Sequence, residues 1–160
     1  MCKGDNQNRP KPKIGFRTAG RLTAVQGLYL MENTGYKTQE VITDLHEMID
    51  NGIVQNVEKA HCDFVLMEDI IKGVVKNQAT IDPAIVAVLP EKWTIKRLDR
   101  VMCAILRAGL YELLYHKEVP AKIVMNEYIN MASAFGLNQD NDMISGILNK
   151  IARTHRLIKP

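Results

Sequence analysis

Apolar residues recur at spacings of three and four along most of the chain, and nowhere is there clear period-two alternation. That is the signature of helices packed through one face, not of half-buried strands. The longest run, Ile95, Leu98, Val101, Met102, Ile105, Leu106, Gly109, Leu110, Leu113 and Leu114, predicts a central helix. Before it, a first helix is expected from Thr18, as N-cap, to about Asn33, stopped by Thr34-Gly35. A second is expected over Thr38 to Asp50, buried through Val41, Ile42, Leu45 and Ile49 and ended by Asn51-Gly52. A third runs from about Val54 to Ala79 through Val57, Phe64, Val65, Ile70, Ile71, Val74 and Val75, with Gly73 a weak point. A short separate helix should open at Ile81-Asp82-Pro83, with Asp82 as cap, and close at Leu89-Pro90. After the central helix, Pro120 restarts the chain into a helix with Ile123, Val124, Tyr128, Ile129 and Phe135, stopped by Gly136. The last helix spans about Gln139 to Arg153, buried through Ile144, Ile147, Leu148 and Ile151.

The expected fold class is therefore all-α, about seven helices in two small helical halves, roughly residues 17–88 and 89–155, within one domain over 17–160. At 160 residues the chain is long enough to bury a core without metal or disulfide support. Residues 1–16 mix Lys, Pro, Asn and Gly with almost no apolar content, which predicts a flexible basic arm.

Charge changes this picture, because the net +3 is unevenly spread: residues 1–21 carry +5, residues 22–80 carry −5 and residues 81–160 carry +3. A basic arm on such a chain hints at a polyanionic partner. Arg17 and Arg21 stand four apart at the head of the first helix, on one face. On a wheel of the central helix, Lys96, Arg97, Arg100 and Arg107 share one arc opposite the apolar stripe, a basic face suited either to nucleic acid or simply to water. Glu112 falls inside the apolar arc, where a lone carboxylate is costly, so it should pair with an Arg or cap a neighbouring helix.

Catalytic chemistry finds little support. The four histidines are scattered without HExxH spacing, and there is no GxxxxGK[ST] or GxGxxG phosphate loop. His61-Cys62-Asp63 looks like a triad fragment, but helical neighbours point about 100° apart, and a buried neutral Cys62 is the simpler reading. Three cysteines without CxxC spacing suggest neither a disulfide framework nor zinc and favour a reducing cytoplasm. Neither a signal peptide nor an apolar run of membrane-spanning length is present, so no membrane role, metal, cofactor or enzymatic activity is expected.

Three stretches point further: RTAGRLTAVQGLYLME (17–32), RLDRVMCAILRAGLYELLYHKEVPAKIVMNEYINMASAFG (97–136) and MISGILNKIAR (143–153). In order and spacing they resemble the NusB family of bacterial transcription antitermination factors, over roughly residues 17–155. The resemblance implies binding to the boxA element of nascent ribosomal RNA together with NusE, a small-subunit ribosomal protein. The complex then acts on a transcription elongation complex with RNA polymerase. It implies an RNA surface of Lys11, Lys13, Arg17 and Arg21, with Tyr29 as a stacking candidate and a second element after Gly136 that includes Met143 and Lys150. The surface meeting NusE would include Met102, where the family often has Glu, and the basic face of Arg97, Arg100 and Arg107. A homodimer masking the RNA surface is also within what the resemblance allows.

The chain departs from the family at one motif. Where the family reads KFVNGVLDK this chain reads DMISGILNK, placing Asp142 for Lys, Met143 for an aromatic and Ser145 for Asn. Asp140 and Asp142 suit a helix start but oppose a phosphate backbone. The rival reading that follows is a protein adaptor that binds NusE or itself with weakened RNA binding.

Overall fold

A computed structural model of the chain describes residues 14–52 and 61–155. It contains six α-helices and two short 3₁₀ turns among these residues, and no strand. The helices are α1 (Phe16–Thr34), α2 (Thr38–Asp50), α3 (Phe64–Val88), α4 (Arg100–Tyr115), α5 (Ala121–Ala134) and α6 (Asn141–Thr154). The all-α reading holds. The arm's residues 1–13, including Lys11 and Lys13, and the expected helix start at Val54 and Val57 lie outside the described residues.

α4 is the axis of the molecule. It packs against α1, α3, α5 and α6, and every residue from Met102 to Leu113 is buried. A helix covered all round has no solvent face, so residues on every side of its wheel meet protein. The main core joins Leu28, Leu45, Ile71, Leu106, Tyr128 and Leu148, drawn from all six helices. The stripes expected on α2 and α6 are the ones buried; on α5, by contrast, Ile123 and Phe135 are exposed.

Four boundaries differ from the sequence expectation, each for a physical reason. α1 opens at Phe16 with Gly15 as an uncapped N-cap. Thr18 lies inside the helix and its hydroxyl donates to Glu127 of α5, 2.8 Å away. The separate helix expected at Ile81 does not exist, because α3 runs through Pro83 to Val88. Ile81 and Ile85 continue the buried stripe of Met67, Ile70, Ile71 and Val74, which holds the helix together across the proline. Pro83 lacks the N–H that would bond the carbonyl four residues back, but Ala79 and Pro83 are both exposed, on the solvent side of the helix, where an unpaired carbonyl costs least. Asp82 is no cap; it receives an arginine from α4, described below.

The third difference is at the head of the central helix. Ile95–Arg97 form a 3₁₀ turn, the chain extends through Leu98, and α4 starts only at Arg100. Asp99 caps it, accepting from the backbone N–H of Val101 at 2.8 Å and of Met102 at 3.3 Å. The fourth is α6, which begins at Asn141 after the turn Asn138–Asp140, with no hydrogen bond from the Asp140 side chain to the helix end.

Gly73 is required by contact, not by backbone conformation. A Cβ built there would sit 2.1 Å from a ring carbon of Tyr111, so the Tyr111 ring of α4 fills the place a side chain at 73 would take. Gly73→Ala is expected to destabilise the fold by about 1–3 kcal/mol through overpacking, seen as a lower urea midpoint. A midpoint equal to that of the unmutated chain refutes the close packing.

Candidate nucleic-acid interface

The head of α1 meets the start of α3 and the α4–α5 connection. Gly20 makes this approach close, since a Cβ there would lie 2.6 Å from the carbonyl oxygen of Asp63. Asp63 in turn caps α3, accepting from the N–H of Leu66 at 3.0 Å, and its own N–H donates to the Phe16 carbonyl at 3.2 Å. These bonds tether the first turn of α1 to that of α3.

One turn further along α1, Arg21 is only 3% exposed. Its Nε donates to Oε1 of Glu112 at 2.7 Å and its Nη2 to Oε2 at 3.0 Å, a two-pronged ion pair across α1 and α4. Nη1 lies 3.8 Å from Glu127. Tyr128 of α5 completes the group, its hydroxyl donating to Glu112 Oε1 at 2.6 Å. Burial works against the guanidinium charge, but the hydrogen bond and charge of Glu112 outweigh it and hold the Arg21 pKa above its ordinary value. Burial and then the Glu112 charge push Tyr128 well above the ordinary tyrosine value.

The expectation that Glu112 pairs with an arginine is met, and the partner is Arg21. For Arg21 itself the reading as a phosphate contact is overturned: its donors are committed to carboxylates inside the fold. Arg17 differs. It is exposed and, among the described residues, no carboxylate pairs with it. It overhangs a cleft of about 340 Å³ whose wall includes Val65, Leu66, Asp69, His116 and Glu118 and whose floor is the Arg21–Glu112 pair.

The other sequence candidates fall in different surroundings. Tyr29 is 37% exposed. Met143 is half-buried and packs against the main core, so it is a packing residue more than a free surface group. Asp142 and Lys150 are exposed on α6.

The basic face does not form. Lys96 and Arg97 lie on the 3₁₀ turn, off the central helix. Arg107 is buried, donating through Nε to Asp82 Oδ1 at 2.9 Å and through Nη2 to Oδ2 at 3.0 Å, with Glu32 of α1 at 3.3 Å. Met102, 2% exposed, belongs to the core and has no surface to offer a partner. Arg97 and Arg100 remain exposed, the latter donating to the Asn33 side chain. Cys62 is buried beside Thr23 and burial raises its thiol pKa, while Asp63 is engaged as a cap, so the triad fragment has no catalytic geometry. No group of described His, Cys, Asp and Glu residues is arranged to hold a metal ion.

Sequence reasoning missed the chain of side chains on the cleft wall. Tyr111 donates to Asp69 at 3.2 Å, and His116 places Nε2 2.5 Å from Asp69 and Nδ1 3.1 Å from Glu118. The elements concerned are 42 and 47 positions apart in sequence, and no local spacing signals them.

The profile of the NusB family matches residues 18–153. The chain belongs to the NusB family. A transcription antitermination protein NusB from Maricaulis maris is 37% identical over 156 residues, covering 98% of each chain. The solved structure of NusB from T. maritima is similar with a TM-score of 0.71 at 28% identity, over 89% of this chain and 93% of that one. A solved complex of the antitermination factors NusB and NusE with double-stranded RNA contains a chain of the same fold, with a TM-score of 0.71 at 20% identity over 86% of this chain and 96% of its own. Family membership sets the chain among transcription antitermination factors, not enzymes.

Two outcomes follow from the buried network. Glu112→Ala leaves the Arg21 charge buried without its partner, and is expected to destabilise the fold by about 3–5 kcal/mol, measured by chemical denaturation. A loss within error of an exposed Glu→Ala control contradicts the burial. In alkali, Tyr111, pushed up to about 12 by burial and the Asp69 charge, keeps its proton where the unfolded chain releases it near 10. Raised folded values stabilise below the unfolded value and that contribution is lost as pH climbs through the folded one. Stability should therefore fall between about pH 10 and 12, and less steeply in Tyr111→Phe; an unchanged slope in that variant removes Tyr111 from the account.

Proposed function

We propose that this chain binds the boxA element of nascent ribosomal RNA together with NusE, as part of a transcription elongation complex with RNA polymerase in the cytoplasm. The observation that carries the reading is Arg17: an exposed arginine with no carboxylate partner among the described residues, standing over a cleft at the head of α1 in a chain of the NusB family. A guanidinium left unpaired at the surface is the group that binds phosphate in two-pronged fashion. The basic residues Lys11 and Lys13 precede it in sequence and add to the same polyanion attraction. Tyr29 supplies an exposed aromatic for stacking, and Lys150 a further cation. The named pairing of NusB and NusE with RNA in a solved complex of this fold supports the partner assignment.

The surface toward NusE includes Arg97 and Arg100, which are exposed, and not Met102 or Arg107, which are buried. The adaptor reading, in which the chain meets NusE or a second copy of itself with little RNA binding, draws on Asp142, exposed at the start of α6.

The deciding experiment is fluorescence anisotropy of a short boxA-type RNA titrated with the chain, with and without NusE, over a range of salt. Binding should weaken steeply with salt, and Arg17→Ala should lower the slope of log affinity against log salt by about 0.7, one phosphate contact on a single strand. Arg21→Ala should instead lower stability. Capture of NusE with no RNA binding at any salt selects the adaptor.

A further inference from the structure

The cleft under Arg17 is larger than a phosphate contact requires. Its volume of about 340 Å³ lies within the range of small-ligand sites, roughly 300–1,000 Å³. Val65, Leu66 and Val119 give it apolar walls, and Val65 is 83% exposed although it stands in the first turn of a long helix. Asp69, one turn beyond Val65 on α3, and Glu118, next to Val119, line the same cleft in a hydrogen-bonded series with His116, and Tyr111, outside the lining, donates to Asp69.

The end of that series is the unusual part. Glu118 is 70% exposed, and a glutamate so placed ordinarily rotates freely. Here Oε1 lies 3.1 Å from His116 Nδ1, the other ring nitrogen lies 2.5 Å from Asp69, and Tyr111 donates to Asp69; with a proton on each nitrogen the ring donates to both carboxylates and fixes Glu118. The carboxylate is thereby positioned on the cleft wall, with Oε2 lacking a hydrogen-bond partner among the described residues. Arg17 presents only donors and the two carboxylates only acceptors. A ligand that suits all three surfaces has a flat apolar body, N–H donors along one edge and a negative charge close by. A nucleotide has that composition.

The four bases differ at the edge that would meet Glu118. Guanine places two adjacent donors, N1–H and N2–H₂, on its Watson–Crick edge, the pair that a carboxylate accepts together. Adenine and cytosine place one amino group beside an acceptor, and uracil one N–H between two acceptors. Single-stranded RNA is read through such splayed bases and their Watson–Crick edges.

We propose that this cleft receives one unstacked guanine of the bound RNA, with Glu118 accepting from its edge, His116 and Asp69 positioning Glu118, and Arg17 on the adjoining phosphate. The inference rests on the RNA-binding reading above and adds a base preference to it. A lysine or arginine from a protein partner would also satisfy the carboxylates, but it would leave Arg17 without an anion, which a nucleotide supplies through its phosphate.

The test uses the full chain and a boxA-type single-stranded RNA series in which each guanine in turn is replaced by inosine, which lacks only the 2-amino group. With the unmutated chain, one position should lose affinity roughly tenfold on replacement, the scale of one hydrogen bond to a charged group. With Glu118→Ala, a surface change outside the core, the guanine and inosine forms of that position should bind alike, while circular dichroism and the salt slope due to Arg17 stay as they were. RNA binding in which no position discriminates, or in which discrimination survives Glu118→Ala, overturns the guanine site and leaves the antitermination reading standing. Weaker NusE capture by Glu118→Ala with discrimination unchanged gives the cleft to a protein side chain and also overturns it. Absence of RNA binding by the chain, alone and with NusE, overturns both.

Discussion

The ion pair of Arg21 and Glu112 is the constraint on which the rest of the molecule depends. Both groups have left water, and the cost of that step is recovered only because the guanidinium meets both carboxylate oxygens and Tyr128 donates a further bond to one of them. An ion pair of this kind adds little net stability over a well-packed apolar pair of the same size. What it adds is directionality. Glu112 on α4 accepts from α1 and α5 at once, so these helices can rotate or slide only by leaving a buried charge without its partner.

A second pair, of opposite sense, acts at the other end of α1. Arg107 of α4 reaches Glu32 of α1 and Asp82 of α3. In one pair α1 provides the arginine and α4 the acid; in the other the roles are exchanged. Reversing α1 against α4 would bring like charges together, so the two pairs select the antiparallel crossing over its reverse. The separations do not match, about 16 Å along α1 between residues 21 and 32 and about 7.5 Å along α4 between 107 and 112. Long arginine side chains bridge the difference: Arg21 meets Glu112 through two prongs, while Arg107 reaches Glu32 with Nη1 and gives its Nε and Nη2 to Asp82.

Most of the fold was legible because helix periodicity is local. The stripes of α2, α4 and α6 follow from spacing alone, and Glu112 announced itself as a carboxylate on an apolar arc. What spacing cannot reveal is which surface a wheel position meets. Arg107 lies opposite the apolar stripe, and on a peripheral helix that is water; on a helix packed by four others it is an interface with α1 and α3. Periodicity also runs unbroken through Ile95 and Leu98, although Asp99 caps the helix between them and the rest. At Pro83 the error ran the other way, since a local breaker lost to the buried stripe on both sides of it. The cleft wall was illegible altogether, because Asp69 and His116 meet only through the packing of α3 on α4.

Arg17 and Arg21 show how these levels connect. They share a helix face, as four-residue spacing requires, and both border the same cleft. Yet one is enclosed and the other free: Arg21 is 3% exposed and held by Glu112, whereas Arg17, one turn nearer the helix start, is exposed. The inner arginine fixes the rotation of α1 and the outer one inherits it: with Arg21 held by Glu112, the backbone that carries Arg17 has one orientation over the cleft. Pre-setting a charged group in this way reduces the ordering cost of binding, so less of the contact energy is spent when a phosphate arrives. The buried pair thus serves the surface through rigidity alone, which is why a residue with no access to ligand stands in the same motif as one that has it.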